Sequence, residues 1–145
     1  MSSPMSGARR TGRGTTTWVA VVSWALRVLA AAILLQTLFF KFTAAPESVY
    51  IFSKVHAEPW GRIASGLLEL IAACLLLIPR FACFGSLLAA GAMVGAILAH
   101  LTVLGIAVQG DKGLLFGLAL TVFASATINL YLNRQQIPLV GRRFA

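Results

Sequence analysis

Apolar residues gather in four long runs along this chain, over residues 18–40, 60–78, 81–108 and 113–132. Each run is at or near the ~20 residues that cross ~30 Å of hydrocarbon at ~1.5 Å per residue. The pattern predicts an all-α protein, an integral membrane four-helix bundle over residues 18–132. A disordered basic tail over 1–17 precedes it, and a basic tail over 133–145 follows. The first run is 23 residues long and interrupted by Arg27. It exceeds the core of a cleaved signal and is expected to stay in the mature protein. Pro79-Arg80 is the whole break between the second and third runs, which predicts a tight hairpin, because Pro ends a helix and Arg stays at the interface. The third run is long enough to tilt or to end early near Gly105. In the long loop over 42–59, the short apolar stretch 49–55 between Pro46 and Pro59 predicts a brief helix lying along the membrane surface.

Composition agrees with a lipid-facing surface. Hydrophobic residues make up 59% of the chain and charged ones 11%, against about a quarter charged in soluble domains. A net charge of +8 raises the question of nucleic acid, but the basic residues sit in tails and short loops, where anionic headgroups attract them, so no nucleic-acid partner is expected. With four crossings, seven Lys and Arg (Arg9, Arg10, Arg13, Arg80, Arg134, Arg142, Arg143) share the side of the tails, and four (Lys41, Lys54, Arg62, Lys112) the other. That asymmetry predicts cytoplasmic termini. Cys74 and Cys83 lack C-x-x-C spacing and read as buried structural thiols.

Polar groups at membrane depth carry the functional information, since each is costly when it faces lipid. Counting from the ends of the runs, Arg27 lies ~14 Å up the first helix and Glu69 ~15 Å up the second. An Arg27–Glu69 ion pair is predicted, either architectural or a site for a proton, an ion or the polar head of a lipophilic cofactor. A second polar level holds Gln36 and His100, both ~27 Å up, with Lys41, Arg62, His56 and Glu58 close by. There Gln36 and His100 would face a quinone-like carbonyl, one offering donors and the other exchanging a proton. No H-x-x-E-H or H-E-x-x-H spacing supports a metal.

Small residues mark helix contacts. Gly91-Ala-Met-Val-Gly95 is a G-x-x-x-G, and Gly113, Gly117, Thr121, Ser125 and Asn129 recur at every fourth position, read as one continuous face. On the second run Gly61, Ser65 and Glu69 share that spacing, which aims Glu69 at a close neighbour. These features are read as packing within the chain in preference to a homo-oligomer. A phosphate-binding Gly-rich loop, G-x-S-x-G and paired carboxylates are all missing, which argues against an enzyme acting alone.

Taken together, Leu26-Arg27-Val28, Lys41 at the end of the first run, Gly66-Leu-Leu-Glu69, Pro79-Arg80 and His100 resemble the DoxX-like family of small four-helix membrane proteins. The likeness runs from about Ala25 to Leu132. The family usually carries a glycine a few residues before the lysine, and Thr37-Leu-Phe-Phe-Lys41 has none. The resemblance implies a bundle in a bacterial or archaeal plasma membrane. Some members look like membrane subunits of redox systems, including a thiosulfate:quinone oxidoreductase, and others like anchors for oxidative-stress enzymes. The expected function is thus a redox-associated subunit or scaffold for a partner enzyme near the quinone pool, with a small solute or proton transporter as the alternative.

Overall fold

A computed structural model describes residues 12–134 and shows five α-helices, with no strand among the described residues. They are α1 (Gly12–Phe42), α2 (Pro46–Lys54), α3 (Trp60–Leu77), α4 (Ala82–Ala99) and α5 (Leu114–Leu132). Four segments are long and apolar enough to cross a membrane: Thr17–Phe42, Trp60–Leu77, Pro79–Leu104 and Leu114–Leu132. The long helices run up, down, up and down, each packing on its neighbour in sequence, and α5 closes the ring against α1. Both described chain ends therefore lie at one end of the bundle, the tail side; α2 lies at the other, the loop side.

Side-chain size is sorted radially. Ala30, Ala31, Ala72, Ala73, Ala89, Ala119 and Ala126 fill the centre with Leu34, Leu76, Met93 and Val122, while Trp18, Phe39, Trp60, Leu87 and Tyr131 point outward, each more than 60% exposed. Small residues inside let the helix backbones approach closely, and an apolar exterior of this extent suits lipid, not water.

The hairpin between α3 and α4 follows from Pro79. Ile78, which precedes it, is extended (φ −95°, ψ 114°), as steric conflict with a following proline requires, and Pro79–Phe81 form a single 3₁₀ turn into α4. At the far end of α4 the chain widens into one π-turn, His100–Leu104, and stops at Gly105. The Gly105 amide donates to the His100 carbonyl at 2.8 Å, and its φ of 79° with ψ of 170° is open to glycine alone. Of the two outcomes expected for the third run, the early end near Gly105 is the one seen.

Where the structure departs from the expected pattern, the causes are identifiable. Residues 12–17, expected in a disordered tail, belong to α1; residues 1–11 and 135–145 of the two tails lie outside the described residues. Gly91 and Gly95 face outward, and a Cβ at either would meet nothing within 4 Å, so the G-x-x-x-G is not an intrachain contact. On α5 only Ser125 and Asn129 of the fourfold series are buried. Steps of four residues advance about 400°, so four such steps drift by about 160° and carry Gly113 and Gly117 off the face that holds Asn129. Cys83 is buried but Cys74 is exposed.

Candidate functional site

The described polar residues within the spans fall into three groups. The largest lies on α1 and α3 near the loop side. Arg27, Ala30, Leu34, Leu38 and Lys41 recur at three- and four-residue intervals and turn one stripe of α1 toward the bundle. Thr37 lies on the same flank. Gln36, about 200° around the helix from Leu34 at about 100° per residue, is exposed.

Glu69 is the centre of this group, ~14 Å from the start of α3 and only 4% exposed. Its Oε1 takes a close ion-pair hydrogen bond from Lys41 Nζ, and the Thr37 hydroxyl lies 3.2 Å from Oε2. Gly66, one turn before Glu69, makes the approach of α1 possible: a Cβ there would stand 3.0 Å from the Phe42 ring and 3.5 Å from Leu38. The glycine missing before Lys41 on α1 thus has a counterpart on the facing helix. Above the pair, Arg62 Nε donates to both Glu58 carboxylate oxygens at 2.9 and 3.0 Å, and its Nη1 donates to the Lys41 carbonyl in the last turn of α1. The Lys41 ammonium also lies 5.8 Å from the Phe52 ring of α2. Arg62 is therefore joined to Lys41 through the Lys41 backbone carbonyl.

The predicted Arg27–Glu69 pair does not form. Arg27 Nε donates to the Leu76 carbonyl at 2.6 Å, in the last turn of α3, and the guanidinium stacks 4.0 Å from the Trp24 ring centroid. With Arg27 opposite Leu76 and Thr37 opposite Glu69, the two charges sit about nine to ten residues apart along α1, about 14 Å. Equal depth would require Trp18 to be level with Ile78, whereas α1 begins at Gly12 and, with Arg27 opposite Leu76, its first ~14 residues continue past the end of α3. Arg27 and Arg62 act locally in the same way, since each donates to a carbonyl in the last turn of the neighbouring helix, Leu76 for Arg27 and Lys41, which otherwise takes only a long 3.4 Å bond from the Ala44 amide, for Arg62.

A second group closes the loop before α5. His100 is 5% exposed, with Nδ1 2.9 Å from the Gly105 carbonyl. A carbonyl only accepts, so Nδ1 is the donor in this contact. The ring meets Phe116 edge-on, 5.5 Å between centroids. Gln36 does not share this site, since it faces outward on α1. Asp111 accepts from the amides of Val108, Gly113 and Leu115 at 2.9, 2.8 and 3.1 Å, which fixes the loop and caps the start of α5.

Burial would raise the Asp111 carboxyl, but those three amides and the nearby His100 outweigh it and hold the group below its ordinary value of 3.8. A depressed native value means that the carboxylate stabilises the loop at every pH above the ordinary Asp range, and that this support is lost as pH falls through the lower native value. Amide-exchange protection at Val108, Gly113 and Leu115 is expected to hold from neutral pH down to about 4 and to decline only below it. Asp111→Ala should remove it at all pH values; unchanged protection in that variant would refute the role.

The third group, near the tail side, was not foreseen as a unit. Ser23 donates to Asn129 Oδ1 at 2.5 Å, Asn129 Nδ2 to Ser86 at 2.6 Å, and Asn133 Nδ2 to Ser23 at 3.0 Å, which ties α1, α4 and α5 together. Asn129 at the end of the fourfold series was the available signal, together with Ser23 one turn before Arg27. Among the described residues no three His, Cys, Asp or Glu side chains converge on a metal site. The chain matches no family model, no curated protein and no solved structure.

Proposed function

We propose that this chain is a multi-pass protein of a bacterial or archaeal plasma membrane, with cytoplasmic termini, that acts as a redox-associated subunit or scaffold for a partner enzyme at the quinone pool. The observation that carries this reading is the mutual satisfaction of the loop-side charges: Glu69 by Lys41 and Thr37, Arg62 by Glu58 and the Lys41 carbonyl. A pair neutralised in this way fixes α1 against α3 and leaves a rigid bundle with an apolar exterior, which is what an anchoring subunit presents to lipid and partner. The resemblance at Leu26-Arg27-Val28, Lys41, Gly66-Leu-Leu-Glu69, Pro79-Arg80 and His100 supplies the redox part of the proposal. The polar head of a quinone would meet its donors at the loop-side groups, from Lys41 or Arg62, since Gln36 faces outward and His100 Nδ1 already donates to the Gly105 carbonyl.

Purification from native membranes in mild detergent, followed by mass spectrometry of proteins and extracted lipids, is expected to recover a redox enzyme subunit or a quinone. Recovery of neither would remove this reading. In proteoliposomes the purified chain is expected to move no protons. A proton flux abolished by Glu69→Gln would replace the scaffold with the transporter alternative, because Glu69 is a midspan carboxylate of the kind proton carriers use.

A further inference from the structure

The acidic residues of the whole chain are Glu47, Glu58, Glu69 and Asp111, and none stands at the tail side. Arg80 and Arg134 lie there at the surface, over the rings of Phe81 and Tyr131. Arg27 differs from both: it is 4% exposed, and its Nη2 is sealed from solvent with no hydrogen-bond partner among the described residues. None of the hydrogen bonds that link the neighbouring Ser23, Ser86, Asn129 and Asn133 reaches Nη2. Native proteins seldom leave a buried charged donor unmet, because the group has given up its water without replacement.

Position and shape narrow the missing acceptor. Arg27 lies opposite the last turn of α3, close to the level where the bundle meets the headgroup region of a bilayer. Trp24, which stacks on the guanidinium, is 42% exposed and forms the outer wall, in the manner of an interfacial tryptophan. With Nε held by Leu76, the guanidinium keeps a fixed plane and leaves Nη2 to donate to an oxyanion. We propose that Arg27 is the anchor of a phosphate-oxyanion site on the tail side, with Nη2 donating to a phosphate oxygen and Trp24 as the movable wall. The phosphate comes from an anionic phospholipid headgroup or from free phosphate. The lipid source rests on the membrane reading above, whereas the oxyanion chemistry does not.

The test uses the full chain, purified and delipidated in detergent, with Arg27→Gln, Arg27→Lys and, as a surface-charge control, Arg80→Gln. In nanodiscs of mixed phosphatidylglycerol and phosphatidylcholine, lipid retained by the wild type is expected to favour phosphatidylglycerol roughly tenfold, the scale of one charge-assisted hydrogen bond. Arg27→Gln should abolish that preference, Arg27→Lys weaken it by loss of the fixed plane, and Arg80→Gln leave it intact. In detergent alone, inorganic phosphate at matched ionic strength tests the free anion: a thermal stabilisation that Arg27→Gln loses, with no lipid preference, assigns the site to free phosphate. The proposal is overturned when neither probe distinguishes wild type from Arg27→Gln. Should Arg27→Gln not fold, equal lipid preference in Arg27→Lys and wild type overturns it instead. Failure of the chain to enter bilayers would count against the membrane reading and leave the phosphate arm standing.

Discussion

Replacing Lys41 by Met is expected to destabilise the bundle by about 3–5 kcal/mol, the scale found when one member of a buried ion pair is removed. The two members are not equivalent. The Lys41 side chain is 15% exposed at the end of α1 and can turn its ammonium toward the loop-side surface, whereas the Glu69 side chain is 5% exposed in the middle of α3 and has nowhere to go. Without Lys41 its only remaining donor among the described residues is the Thr37 hydroxyl at 3.2 Å, whose single proton the Leu34 carbonyl also draws at 2.9 Å. Glu69→Gln should therefore cost less, about 1–2 kcal/mol, since the amide oxygen can still accept from Lys41 while its NH2 group donates to the Thr37 hydroxyl oxygen. The double variant Lys41→Met with Glu69→Met should recover most of the loss, because two apolar side chains of similar size carry no desolvation penalty. Unfolding in mixed micelles, followed by tryptophan fluorescence, reads all three. A single Lys41→Met variant within about 0.5 kcal/mol of wild type would show that the pair contributes nothing to the fold.

The long apolar helices were legible because hydropathy reports directly on what a segment faces: the runs at 60–78 and 113–132 coincide with α3 and α5 to within a residue. Register was not legible. Hydropathy marks where lipid chains end, and α1 does not end there. Its polar beginning, Gly12 to Thr17, is helical all the same, and this offset moved Arg27 from the level of Glu69 to that of Leu76. Lysine reach hid the true partner as well, since a long flexible stem lets Lys41 meet a carboxylate a turn below its own backbone. Facing direction is legible in the spacing. The interval of Arg27, Ala30, Leu34, Leu38 and Lys41 already places Gln36 on the opposite side of α1, which separates it from His100 without any coordinates.

Gly85 carries the largest steric expectation, although the sequence draws attention to Gly91 and Gly95. A Cβ at Gly85 would stand 2.5 Å from the Leu76 backbone nitrogen, 2.9 Å from the Leu75 carbonyl carbon and 3.0 Å from the Ala72 carbonyl oxygen. All three are backbone atoms, so no flexible side chain can make room, and α3 and α4 must part. The tight hairpin at Pro79 explains why the contact falls here: with a single 3₁₀ turn between them, the two helices are closest within the first turns of α4, where Ala82, Gly85 and Ala89 present a small-residue face to Ala72 and Ala73. Gly85→Ala is expected to cost about 1–3 kcal/mol despite the better helix propensity of alanine, and Gly85→Leu to prevent a native bundle. Gly91→Ala, which meets nothing within 4 Å, should instead be neutral or stabilise by up to ~1 kcal/mol. Midpoints of unfolding for Gly85→Ala and Gly91→Ala, measured side by side, decide the matter. If Gly85→Ala proves the more stable of the two, the close packing of α3 on α4 is wrong, and with it the placement of Leu76 that gives Arg27 its carbonyl partner.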